Sequence, residues 1–155
     1  MRIGIGYDSH RFADKRRLIL GGVHVPHPQG LAGHSDADAV THALIDAILG
    51  AAALGDIGHM FPPTDARWRD ADSLHLLKTA HLAVVEAGFN FASADITIIA
   101  ERPPLAPHLD SMREKLSTAL VSGFSTVSVK AKTNEGMGWI GRGEGIAVIA
   151  VAVLE

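Results

Sequence analysis

The chain has 155 residues, 47% of them hydrophobic and 20% charged, with no cysteine and a formal net charge of −3. Without cysteine there is no disulfide, no thiolate metal site and no cysteine nucleophile, so any metal must be held by His, Asp, Glu or backbone oxygen. Without a basic run, non-specific binding to nucleic acid or to a membrane surface is not expected. The length suits one domain over residues 1–155. No apolar run reaches the roughly 18 residues of a membrane span, and no leader-like segment precedes the first strand pattern, so the expected location is the cytoplasm.

Arg2 to His10 alternates, with Ile3, Ile5 and Tyr7 on one strand face and Gly4, Gly6, Asp8 and His10 on the other. The strand is expected to bury one side and to end by presenting Asp8 and His10 together, a spacing that lets two ligands reach one ion. Leu18-Ile19-Leu20 and Val23-His24-Val25 bracket Gly21-Gly22, which predicts a hairpin, and residues 26–30 then break the pattern. His24 and His27 receive no role. A helix is expected after Asp38, with Ser35, Asp36 and Asp38 as candidate N-caps, Val40, Leu44, Ile45 and Ile48 as its apolar face, and Gly55 as a left-handed cap. Asp38, His42 and Asp46 lie four apart and form a polar stripe. Taken alone, that stripe reads more readily as a solvated helix face than as a ligand site.

The segment from Asp56 to Asp65 cannot continue the helix, because of its Gly and Pro residues. A second helix is predicted over about Ser73 to Ala87, capped at Asp72-Ser73 and closed by Gly88. Leu74, Leu77, Leu82, Val84 and Val85 are expected to pack it, with His75 and His81 on its wet side. Ser93 to Ala100 reads as a strand, and Pro107 suits the first turn of a third helix ending near Ser122-Gly123. Val127 to Thr133 alternates as another strand, and Ile146 to Leu154 is apolar throughout, as a central or partner-facing strand is. Between them, Gly136, Gly138, Gly141, Gly143 and Gly145 surround Arg142. Such a loop could cradle a phosphate, with Arg142 as a clamp, and a plain flexible hairpin loop fits it about equally well.

This order predicts an α/β (α+β) fold: one mixed four-stranded sheet with a small extra hairpin and helices on one face. The other face then needs a cover, and another copy of the chain is the economical one. Asp8, His10 and His42 supply two imidazoles and a carboxylate with room for a fourth position, a set that fits catalytic zinc and leaves other divalent metals open. An ion held that way polarises a phosphoryl oxygen. From the residues alone the reading is a metal-assisted reaction at phosphorus. A metallohydrolase and a non-catalytic ligand-binding or scaffold protein stay open as alternatives.

Gly6-Tyr7-Asp8-Ser9-His10, Gly33-His34-Ser35-Asp36-Ala37-Asp38, Gly55-Asp56-Ile57-Gly58, Thr64-Asp65 and Gly141-Arg142-Gly143-Glu144-Gly145 occur in this order along the whole chain. Together they closely resemble the 2-C-methyl-D-erythritol 2,4-cyclodiphosphate synthase family of the non-mevalonate isoprenoid pathway. The resemblance implies a homotrimer with active sites between subunits. Its substrate would be 4-diphosphocytidyl-2-C-methyl-D-erythritol 2-phosphate, cyclised with release of CMP. Asp8, His10 and His42 would bind a zinc-type ion, and Asp8, Ser9 and His10 would also meet the substrate. His34 and Ser35 would hold phosphate, with His34 and Thr133 stabilising the transition state. Asp56, Ile57 and Gly58, with Phe61, Pro62, Pro63, Thr64 and Asp65, would line the methylerythritol end. Ala100, Glu101, Arg102, Pro103, Pro104, Leu105 and Ala106, together with Ala131, Lys132, Thr133, Asn134 and Glu135, would form the cytidine and diphosphate pocket, all supplied by the adjacent subunit. Glu135 would hold a second ion, magnesium or manganese, and Trp139 and Arg142 would close the site. Three positions depart from the family pattern: Pro63 replaces an acid, Pro104 a common Lys, and Lys132 a common Thr.

Overall fold

The computed structural model describes residues 1–155. Along the chain lie β1 (Arg2–Ala13), the hairpin strands β2 (Leu18–Leu20) and β3 (Val23–Val25), a short β4 (Gly30–Leu31), α1 (Ala39–Ala52), α2 (Ile57–Met60) and α3 (Ser73–Glu86). There follow β5 (Phe91–Ile99), α4 (Leu109–Ala119), β6 (Val127–Lys132), α5 (Gly138–Gly141) and β7 (Gly145–Leu154). The main sheet has the order β4-β1-β7-β5-β6 and is mixed, since β5 and β6 run parallel and the other neighbours antiparallel. It has five strands, not the expected four. β1 runs on past His10, and its Phe12 and Ala13 pair with Leu31 and Gly30 of β4. A two-residue strand carries no periodicity from which to read it.

The helices cover one sheet face, where Ile96, Ile98, Ile146, Val148, Ala150, Ala152 and Leu154 are buried. α1 lies directly on β1 because Gly4 and Gly6 leave room for it. A Cβ at Gly4 would stand 2.0 Å from the Ala47 carbonyl oxygen, and one at Gly6 1.8 Å from that of Ala43. With no side chain on the strand and only alanines facing it, helix backbone rests on strand backbone. The alternation in β1 therefore buries its glycine face. Ile3, Ile5 and Tyr7 stand 68%, 70% and 56% exposed on the opposite side, beside the partly exposed Ile149 and Val151 of β7.

The hairpin forms as expected, with Gly21 and Gly22 both at positive φ in its two-residue turn. Of the three candidate N-caps, Asp38 caps α1, accepting the Thr41 N–H. The helix closes two residues earlier than Gly55, with Ala53 in the left-handed conformation. α3 is capped by Asp72 and turns Leu76, Leu77, Ala80 and Val84 inward. Leu82 and Val85 are exposed, against the expected packing. Leu82 stands five positions after Leu77, roughly 140° further round a helix. His81, four positions after Leu77, falls on the inner face and is buried, whereas His75 is exposed as expected.

Candidate metal centre and active site

β1 carries Asp8 and His10 on the face that α1 covers, and the close approach at Gly4 and Gly6 brings His42 of α1 over them. One ligand atom from each of the three lies within 4.8 Å of the others. Asp8 Oδ2 sits 2.9 Å from His10 Nε2 and 3.1 Å from His42 Nδ1. The Ala32 carbonyl oxygen lies 2.6 Å from His10 Nδ1 and draws the ring proton there. His10 Nε2 is then a buried nitrogen with no hydrogen-bond partner. Two bare acceptors this close repel, so a proton or a cation must lie between them. Burial pushes the Asp8 carboxyl up, but the His10 and His42 imidazoles outweigh it and hold it well below the usual carboxylate range. Burial disfavours charge on His10, yet Asp8 outweighs that and raises its pKa. The orphaned nitrogen and the convergent, sulfur-free donor set fit a divalent cation.

The triad opens into a cavity of about 240 Å³ lined by Asp8, His10, His34, Ser35, His42, Ile57, Gly58, Phe61, Pro63, Trp68 and Leu76. Nine of the eleven are residues singled out from the sequence; Trp68 and Leu76 are not. Trp68 meets Phe61 edge to face at 5.0 Å and completes the apolar wall. Ser35 Oγ is 3.1 Å from His42 Nε2 and accepts the Ala37 N–H, while the Arg16 guanidinium donates to the Ser35 carbonyl at 2.6 Å. Asp46, on the same stripe as His42, accepts the Ile57 N–H at 2.8 Å and so ties α1 to the loop after it. The stripe is not a solvated face: Asp38 is fully buried and His42 is 9% exposed.

The remaining predicted positions lie elsewhere. Asp56 caps α2 by accepting the His59 N–H. Asp65 is held by a forked pair with Arg67, at 2.6 Å from one guanidinium nitrogen, and Pro62 and Thr64 stand beside it in the same loop. Glu101 Oε1 accepts the Asn134 N–H at 2.7 Å and the Gly136 N–H at 3.2 Å, so segments 100–106 and 131–136 form one assembly at the ends of β5 and β6. There Thr133 Oγ1 lies 3.3 Å from Glu135 Oε1. Neither segment reaches the triad cavity of its own chain. Ser9, His10 and Trp139 line a separate cavity of about 620 Å³, and Glu101, Arg102 and Arg142 another of about 630 Å³. The exposed Arg142 pairs with Glu144 at 2.6 Å. Ser73, whose hydroxyl touches His42 Nε2 at 2.8 Å, reads in the sequence only as the start of a helix.

Comparison with known proteins extends over the same span. The YgbB family model matches residues 1–155. A 2-C-methyl-D-erythritol 2,4-cyclodiphosphate synthase from Moorella thermoacetica is 56% identical over 154 residues, which are 99% of this chain and 94% of that protein. A solved structure of a 2-C-methyl-D-erythritol 2,4-cyclodiphosphate synthase in a CDP-bound form superposes with a TM-score of 0.91 at 38% identity, covering 99% of this chain and all of that one. The bifunctional IspDF from Campylobacter jejuni superposes with a TM-score of 0.95 at 42% identity, and this chain spans 42% of its length. Matched from its first residue to its last, with a fold that superposes on solved relatives, the chain belongs to the YgbB family.

Proposed function

We propose that this chain, as one synthase domain, converts 4-diphosphocytidyl-2-C-methyl-D-erythritol 2-phosphate to 2-C-methyl-D-erythritol 2,4-cyclodiphosphate and CMP. The observation that carries the reading is the buried, unpartnered His10 Nε2 facing Asp8 and His42 at the floor of a cavity walled by His34, Ser35, Ile57 and Gly58. A relative 56% identical over 99% of this chain carries the synthase name. In the reaction a 2-phosphate oxygen forms a bond to the β-phosphorus as the bond from that phosphorus to the CMP oxygen breaks. The nucleophile is the substrate's own phosphate, so the chain's work is to fold the substrate and to neutralise charge.

Asp8, His10 and His42 would hold a zinc-type ion, which when bound supplies positive charge that polarises a phosphoryl oxygen. His34 and Ser35 bind the phosphate beside it, and Ile57, Gly58, Phe61 and Pro63 wall the methylerythritol end against water. Asp56 and Asp65 meet its hydroxyls from the loop. The Glu101 staple presents Thr133 and Glu135 to the diphosphate, where Glu135 would hold a magnesium or manganese ion that supplies positive charge, and Thr133 and His34 donate to the reacting phosphate. Segments 100–106 and 131–135, with Trp139 and Arg142, bind the cytidine end; a CDP-bound relative supports a cytidine ligand. Because those segments lie away from the triad of their own chain, the two halves come from neighbouring subunits of a homotrimer in the cytoplasm. Phosphorus NMR of the products tests the reaction: CMP with a cyclic diphosphate is expected, and linear phosphates alone would refute it. Mixing inactive Asp8→Ala chains with inactive Glu135→Ala chains should restore part of the activity, because some mixed assemblies contain an intact shared site.

A further inference from the structure

Behind His42, on the side away from Asp8 and His10, lies a second set of contacts. Ser73 begins α3 and is fully buried, with its Oγ 2.8 Å from His42 Nε2. The same hydroxyl donates to Asp36 Oδ1, and Asp36 Oδ2 accepts the Ser73 backbone N–H at 3.0 Å. Asp36 Oδ1 also accepts the Asp38 N–H at 3.1 Å, so the carboxylate is fixed by the loop that precedes α1.

These contacts fix the direction of every proton. A carboxylate only accepts, and a serine hydroxyl has one proton to give. Asp36 takes that proton, so the contact between Ser73 and His42 must run from Nε2–H to Ser73 Oγ. In the neutral ring, the form that ligates a metal, His42 Nδ1 is thereby left with its lone pair turned toward Asp8 and His10. We propose that Asp36 and Ser73 are positioning residues for the metal centre: the chain Asp36–Ser73–His42 holds the imidazole in its Nε2–H form and aims Nδ1 at the ion. His10 is treated alike by a different group, the Ala32 carbonyl. Both ligand rings are then oriented from behind, one by backbone and one by a half-buried carboxylate working through a buried hydroxyl. Ser35 gains from the arrangement. Its Oγ, 3.1 Å from Nε2, is the more distant of the two hydroxyls and already accepts the Ala37 N–H. With the Nε2 proton committed to Ser73, Ser35 keeps its own proton for an anionic ligand in the cavity.

The inference rests on the metal reading, and the test separates the two. Zinc affinity is measured by chelator competition on the full chain and on Asp8→Ala, Ser73→Ala and Asp36→Asn. Ser73→Ala and Asp36→Asn should bind zinc about 10–100-fold more weakly. In zinc-loaded wild-type protein, nitrogen-edited NMR should show a slowly exchanging His42 Nε2 proton that Ser73→Ala shifts or abolishes. Folded Ser73→Ala and Asp36→Asn proteins with wild-type zinc affinity overturn the proposal, whereas wild-type affinity in Asp8→Ala overturns the metal reading beneath it. Should the variants fail to fold, the wild-type spectrum decides, since a Nε2 proton in rapid exchange with water contradicts a bond to a buried hydroxyl.

Discussion

His10 and His42 present different nitrogens to the same carboxylate oxygen, Nε2 from one ring and Nδ1 from the other. Asp8 is the hinge of that arrangement, and its charge would offset that of a cation held between the rings. Asp8→Asn keeps the shape and removes the charge. We expect it to lose zinc on dialysis and to release CMP on the order of 10²–10³-fold more slowly, as loss of an aimed electrostatic group does in other enzymes; metal analysis and a CMP assay check both. A second imidazole bears on stability. Burial depresses the His81 pKa, so the folded chain resists a proton that the unfolded chain takes up near pH 6.5. That contribution is fully present above about pH 6.5 and is lost as pH falls toward the folded value. His81→Leu should therefore show a shallower loss of stability than wild type between about pH 7 and pH 5 in denaturant titrations. The Asp8–His10 pair was legible in the sequence because a strand repeats every two residues. His42 was not legible from its helix, since Asp38 and Asp46 read as companions on a wet face. Burial of Asp38 depends on donors from the hairpin, and Ser73 reaches His42 only through folding.

Asp38 joins elements that no local pattern connects. Its two oxygens accept the Gly21 and Gly22 N–H groups at 2.8 and 2.7 Å and the Thr41 N–H and hydroxyl at 3.0 and 2.7 Å. Burial raises its pKa even against those donors. Asp38→Ala leaves buried donors without an acceptor at both the hairpin turn and the head of α1, and should destabilise the fold by roughly 3 kcal/mol or more, measured by chemical denaturation. The strand–helix contact is equally unforgiving. Gly6→Ala places a methyl where the Ala43 carbonyl oxygen stands, so α1 must lift from β1. A loss of roughly 1–3 kcal/mol is expected, with weaker zinc binding because His42 travels with the helix. Propensity and capping made the long elements readable, down to the hairpin turn and the caps at Asp38 and Asp72. The two-residue β4 and the exposure of Leu82 and Val85 are not legible in the sequence, because pairing and helix packing decide them, not composition.

At the scale of the molecule, the sheet has one face dressed by helices and one bare. Ile3, Ile5 and Tyr7 form an apolar row beside Ile149 and Val151, the kind of surface that soluble chains bury against a partner. The proposed trimer would cover this row. Ile5→Lys should yield a folded monomer by sedimentation and circular dichroism, and with shared sites it should lose nearly all turnover. No helix is long and apolar enough to cross a membrane. The ladder between β1 and β7 also sets a schedule. Asp8 pairs opposite Val148, so the strand bearing two of the three ligands leaves the ribosome long before its neighbour exists. At roughly 5–20 residues per second the wait is on the order of ten seconds. During that interval β1 is paired only at its end, with β4, and its long edge lies open, so α1 has half a floor to settle on. Completion of the sheet beneath the candidate metal site is thus deferred to the end of synthesis, and a chain interrupted before Gly145 emerges carries Asp8, His10 and His42 without the strand that flanks β1.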